Sequence, residues 1–92
     1  MAIVTGASRG LGRAMALALA EAGADVAVAA RSKGDLDETA RQIEKRGRRA
    51  LAVPTDVSVY AQVETLVKRA TDALGGLHIV VNNSGIARVT PP

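Results

Sequence analysis

Apolar residues arrive along this chain in short, evenly spaced blocks. Ala2 to Thr5 is a brief apolar run, and a mostly apolar stretch of helical length follows from about Leu11 to Ala22. Gly23 closes it, where helices commonly stop. Val26 to Ala30 is uninterrupted and of strand length. Leu36, Ala40 and Ile43 then recur at helical spacing, with Asp37, Glu38, Arg41, Gln42 and Lys45 on the other side. Asp35 and Glu38 are spaced as a capping box at its start, and Gly47 stands at its close. Ala50 to Val53 reads as a third strand ended by Pro54. Ser58 is placed to cap a third helix with the apolar stripe Val59, Val63, Leu66, Val67, Ala70 and Leu74, which Gly75-Gly76 ends. Ile79 to Val81 forms a fourth strand that runs into the turn-forming cluster Asn82-Asn83-Ser84-Gly85.

Strand and helix therefore alternate, and the strands are apolar on both faces. That pattern predicts a parallel sheet covered by helices on both sides, an α/β class. Right-handed crossovers put the first two helices on one face and the third on the other, giving a Rossmann-like doubly wound sheet of strand order 3-2-1-4. Such a sheet binds its ligand outside the carboxyl ends of its strands, where the chain reverses between the first and fourth. No further strand is predicted, so Ile79 to Val81 is expected at an open edge prone to self-association.

Composition narrows the classes. The 92 residues make one small domain, 48% hydrophobic, with Tyr60 as the sole aromatic residue, so the core must be built of Val, Leu, Ile and above all Ala. With no cysteine there is neither a disulfide framework nor a thiolate metal site, which fits a reducing cytoplasm. The longest uncharged apolar run, Ala14 to Ala20, is far too short to cross a membrane. The net charge of +3 gathers at Lys45-Arg46-Gly47-Arg48-Arg49, the end of a predicted helix, where cations suit the dipole. With only Tyr60 to stack on a base, nucleic acid is not an expected partner.

The stretch Thr5 to Gly12, TGASRGLG, carries the candidate chemistry. A phosphate cradle needs backbone N–H groups converging on an anion, glycines that tolerate unusual dihedrals, and a helix N-terminus behind them. Gly6, Gly10 and Gly12 lie between a strand and a helix and meet these demands. Leu11 and the missing Lys-Ser/Thr pair exclude a P-loop. The same residues also spell a nucleophile elbow around Ser8, and Ser8, Asp56 and His78 occur in the chain order of a hydrolase triad. Geometry rejects that triad: Ser8 follows its strand and His78 precedes its own, so they sit at opposite sheet edges, roughly 15 Å apart.

T-G-x-x-x-G-x-G at Thr5 to Gly12, Asp56-Val57 after the third strand and N-N-x-G at Asn82 to Gly85 resemble the cofactor half of the short-chain dehydrogenase/reductase family over nearly the whole chain. The resemblance implies that Gly6, Ser8, Arg9, Gly10, Leu11 and Gly12 cradle a dinucleotide pyrophosphate. It implies also that Asp56 and Val57 contact the adenine and that Asn82 braces the sheet and touches the adenosine ribose. Ser84 stands where the family usually has alanine, a small-for-small change, and Gly85 completes the motif. At the end of the second strand the residues are Ala29-Ala30-Arg31-Ser32. An acid there would take the 2′-hydroxyl of NAD, whereas Arg31 and Ser32, with Arg9 approaching from the loop, suit the 2′-phosphate of NADP.

By the same resemblance the complete enzyme interconverts a carbonyl and an alcohol with a tyrosine, a lysine and a serine, works on a small-molecule substrate of which 3-oxoacyl compounds are one class, and is a homo-oligomer. Tyr60 has Glu64 four residues on, not lysine, so it is not that tyrosine. No catalytic residue is assigned in these 92 residues, which look like an amino-terminal portion of the enzyme. The reading from a different class is a non-catalytic nucleotide-binding fragment or scaffold.

Overall fold

The structure, a computed structural model, describes residues 1–82 and the backbone of residues 88–90. Its elements in order are β1 (Ala2–Thr5), α1 (Gly10–Glu21), β2 (Val26–Ala30), α2 (Lys33–Lys45), β3 (Ala50–Pro54), α3 (Tyr60–Leu74), β4 (Ile79–Asn82) and β5 (Arg88–Thr90). The sheet order is β3-β2-β1-β4-β5, with the first four strands parallel. Rossmann-like 3-2-1-4 order is thus observed.

Side chains alternate across the sheet as the pleat requires, and each face carries its own core. Val4, Val26, Val28 and Val81 pack with Ala16 and Ala20 of α1 and Leu36 and Ile43 of α2. On the other face Ile3, Ala27, Ala29 and Val53 pack with Leu66, Ala70 and Leu74 of α3. The first two helices therefore share one face and α3 covers the other. Small residues on the innermost strands let the helix layers approach, which is why alanine replaces aromatic bulk in this core. Among the described residues no helix is long and apolar enough to cross a membrane.

Four local expectations are corrected. β4 is not a bare edge, because β5 pairs antiparallel to it through Val80↔Thr90, Val81↔Val89 and Asn82↔Arg88. An unpaired row of ladder groups takes up any nearby extended chain, and a three-residue run is too short to announce itself. α2 begins at Lys33 with Ser32 as its N-cap, so Asp35 lies inside the first turn and the box at Asp35 and Glu38 does not form. The N-cap of α3 is Val59, not Ser58, whose N–H and hydroxyl both donate to Asp56 Oδ1. Finally, Val59 and Val67 of the supposed buried stripe are exposed, since the face of α3 toward β4 is only partly covered.

At the amino edge of the sheet the arginines of the basic run, Arg46, Arg48 and Arg49, form ion pairs. Asp25, just before β2, accepts from the Arg49 N–H at 2.9 Å, from Arg49 Nε at 3.1 Å and from Arg49 Nη2 at 2.9 Å, and it pairs with Arg48 at 3.1 Å. Arg49 also donates to the carbonyls of Ala73 and Leu74 at the end of α3, so one arginine joins β2, β3 and α3. Arg46 pairs with Glu21. His78 stands here too, its Nδ1 2.9 Å from the Met1 nitrogen and at the edge opposite Ser8, which rules out a triad.

The hydrogen bonds from the Arg49 backbone and guanidinium, with the nearby Arg48 charge, hold the Asp25 carboxyl below its ordinary 3.8. A lowered folded-state value stabilises the fold above the unfolded pKa, and that contribution is lost as pH falls through the folded one. Asp25→Asn is expected to cost about 2 kcal/mol at neutral pH and to lower the melting temperature by roughly 10 °C. Below pH 3.8 the difference from the unmodified protein should shrink. Melting curves at pH 7 and pH 3 check both.

Candidate functional site

β1 ends at Thr5, and the chain must turn from the sheet into α1 within four residues. Gly6 and Gly10 make that turn, each at φ 63°. L-residues rarely adopt this left-handed conformation, and a Cβ at Gly10 would meet nothing within 4 Å, so the demand there is for backbone freedom rather than for space. Arg9 occupies the N-cap position in extended conformation and makes no side-chain cap. The first-turn N–H groups of α1 are therefore left at the positive end of its dipole, available to an anion.

Beside this turn lies an open cavity of about 510 Å³ at the carboxyl edge. Gly6 and Ser8 form one wall, Ala30, Arg31 and Ser32 a second, and Thr55 to Ser58 a third. Parallel pairing creates the arrangement: β2 and β3 end side by side, and Thr55 N–H donates to the Ala30 carbonyl at 2.8 Å while Ala7 N–H donates to that of Ala29 at 3.2 Å. Six expected residues, Gly6, Ser8, Arg31, Ser32, Asp56 and Val57, are thus brought to one cavity.

Asp56 is held in a fixed attitude. Its carboxylate accepts from the Ser58 hydroxyl at 2.7 Å and the Ser58 N–H at 3.0 Å, and its own N–H donates to Gln62 Oε1 at 2.8 Å. The Ser58 hydroxyl, the Ser58 N–H and then the Arg31 charge hold the Asp56 carboxyl below its ordinary value. It is an anionic acceptor at neutral pH. No acidic side chain follows β2 on the cavity wall, where Arg31 stands exposed.

The other expected residues are placed differently. Arg9, Gly10, Leu11 and Gly12 do not line this cavity; Leu11 is exposed at the start of α1 and Gly12 is buried within it. Asn82 is the last residue of β4, and its Oδ1 accepts from the Thr5 hydroxyl at 3.0 Å, a bond joining the ends of β1 and β4. Asn82 lines a second, more apolar groove with Val57, Tyr60, Val63, Val67 and Val80. Ser84 and Gly85 lie outside the described residues. Tyr60 is 74% exposed, with no lysine four residues on. Thr55 and Ser58, the latter expected only as a helix cap, also line the cavity, and only their neighbourhood to Asp56 could have signalled them. Among the described residues no cluster could hold a metal ion.

The left-handed turn yields a direct test. Gly10→Ala adds no clash, so it should destabilise through backbone strain alone, by about 1 kcal/mol, and Gly10→Asn should recover part of the loss because asparagine tolerates that conformation. Denaturant melts of the two variants read this ordering.

A family model described as short chain dehydrogenase matches residues 1–92. An uncharacterized oxidoreductase of Mycobacterium tuberculosis is 48% identical over 85 residues, which cover 92% of this chain and 32% of that protein. A 3-ketoacyl-ACP reductase from Sinorhizobium meliloti has a similar structure, with a TM-score of 0.87 at 41% identity over 92% of this chain and 33% of that one. L-Sorbose reductase from Gluconobacter frateurii, in complex with NADPH and L-sorbose, gives a TM-score of 0.85 at 40% identity over the same shares, 92% and 33%. The chain spans about a third of the length of these relatives.

Proposed function

The chain belongs to the short-chain dehydrogenase family, and from that premise we propose that it is the dinucleotide-binding part of an NADP-dependent oxidoreductase that interconverts a carbonyl and an alcohol. The observation that carries the cofactor choice is the cavity wall after β2, where Arg31 and Ser32 stand with no acid beside them. A carboxylate there would repel a 2′-phosphate, whereas a guanidinium attracts it and can bind it through two N–H groups. The L-sorbose reductase neighbour is described as an NADPH complex, and the S. meliloti neighbour as a 3-ketoacyl-ACP reductase. These support NADP and make 3-oxoacyl compounds a reasonable substrate class.

The residues present fit such a cofactor: an uncapped helix N-terminus behind a glycine turn, a basic wall and a fixed carboxylate. Gly6 to Gly12 would hold the pyrophosphate through backbone N–H groups and the α1 dipole. Arg31 and Ser32 on the cavity wall, with Arg9 from the loop, would take the 2′-phosphate. Asp56 and Val57, which line the cavity, would contact the adenine. Asn82, which braces β1 against β4 through Thr5, would touch the adenosine ribose. When bound, the nicotinamide supplies or accepts the hydride. No residue of this chain is assigned the part of the serine, tyrosine or lysine that would orient and protonate the substrate oxygen. The whole enzyme is cytoplasmic and homo-oligomeric.

A charge-assisted hydrogen bond is worth about 1.5–3 kcal/mol, so NADP should bind the full-length enzyme more tightly than NAD by roughly tenfold to over a hundredfold. Arg31→Asp should reverse the preference. Fluorescence titration of both reduced cofactors checks this, and equal affinities in the unmodified protein would refute the assignment. Residues 1–92 alone should show no turnover of NADPH with ketones or β-keto thioesters, because positioned acid catalysis, worth about 10²–10⁴ in rate, is missing. Turnover lost on Tyr60→Phe would instead place the chemistry within this chain.

A further inference from the structure

One side chain inside the α2 core face is polar. Thr39 is fully buried, on the stripe that also carries Leu36 and Ile43. Its hydroxyl lies 2.8 Å from the carbonyl oxygen of Ala7 and 3.3 Å from that of Ser8, both in the turn between β1 and α1. It also accepts from Arg13 Nε at 2.8 Å. Arg13, on α1, donates through Nη2 to the Ser8 carbonyl and, at 2.9 Å, to the Asp35 carbonyl in the first turn of α2. Asp35 Oδ2 in turn stands 3.4 Å from the Ser32 hydroxyl. One guanidinium and one hydroxyl thus join the glycine turn to the N-terminus of α2, the two walls that Ser8 and Ser32 give the cavity.

The peptide unit is planar and here trans throughout the described residues, so each carbonyl and the following N–H point in opposite directions. With the Ala7 and Ser8 carbonyls drawn to Thr39 and Arg13, the N–H groups of Ser8 and Arg9 are turned away from α2. Among the described residues neither N–H meets an acceptor in the protein. They are two donors held ready for an anion at the glycine turn.

We propose that Arg13 and Thr39 are positioning residues for cofactor binding: they fix the carbonyls of Ala7 and Ser8 so that the Ser8 and Arg9 N–H groups are aimed at the dinucleotide pyrophosphate. The inference rests on the dinucleotide-binding reading of this cavity, but not on the choice of NADP. Without the clamp these peptides are free to rotate, and ordering them on binding weakens both NADP and NAD. Arg31 differs in kind, since it acts on the ratio between them.

The test uses the full-length enzyme and measures the dissociation constants of NADPH and NADH, with a melting curve for each variant. Thr39→Val keeps the volume and removes the hydroxyl; both constants should rise roughly tenfold with their ratio unchanged, and Thr39→Ser should restore them. Unchanged affinities in Thr39→Val despite a lower melting temperature would overturn the proposal, as would a Thr39→Ser variant as weak as Thr39→Val. Should Thr39→Val fail to fold, Arg13→Met at the more accessible end of the clamp carries the same expectation, and wild-type affinity there would overturn it equally. An unmodified enzyme that binds neither cofactor would refute the dinucleotide reading itself; one that binds both equally would refute only the NADP assignment and leave the clamp testable.

Discussion

Strand β1 is the constraint on which the rest depends. It is buried on both faces and paired on both edges, with β2 on one side and β4 on the other. A chain leaving such a strand has no lateral room, so it must rise out of the carboxyl edge and fold back over one face. Gly6 and Gly10 allow this at φ 63°, and the α1 N-terminus is thereby set at the crevice where the sheet reverses direction. The proposed anion site at that crevice rests on the turn before any side chain is considered.

The two edges of the sheet handle their charges in opposite ways. At the amino edge Asp25 faces Arg48 and Arg49, and Arg46 faces Glu21, so that much of the basic run between Lys45 and Arg49 is locked into the fold. At the carboxyl edge Arg31 is exposed on a cavity wall, and among the described residues the only carboxylate lining that cavity, Asp56, is oriented by Ser58 and Gln62. The same cavity thus carries both a positive wall and a fixed acceptor. The arginines that tie the amino edge together and the one proposed to face a ligand are different, so either can be altered with limited effect on the other.

Most of the fold was legible because buried parallel strands and amphipathic helices leave unmistakable periodicities. Strand order, the division of helices between faces and the convergence of Gly6, Ser8, Arg31, Ser32, Asp56 and Val57 all follow from alternation and handedness. Helix starts were less legible. At Ser32 and Val59 several capping-competent residues stand close together, and tertiary hydrogen bonds such as those from Ser58 to Asp56 choose among them. β5 was invisible because a three-residue strand has no periodicity of its own and exists only by pairing with β4. Thr39 was hidden for another reason: a threonine on a buried helical stripe looks like an imperfect apolar residue, and its purpose emerges only when the Ala7 carbonyl is seen against it.

The cavity at the carboxyl edge is proposed to bind the adenosine half of a 2′-phosphorylated dinucleotide. The most direct measurement is an amide NMR titration with adenosine 2′,5′-bisphosphate beside adenosine 5′-monophosphate. The account predicts perturbations at Gly6, Ser8, Asp56 and Val57 with both ligands, and at Arg31 and Ser32 chiefly with the bisphosphate. Perturbations centred instead on Val63, Val67 and Val80, or identical responses at Arg31 and Ser32 to the two ligands, would contradict it.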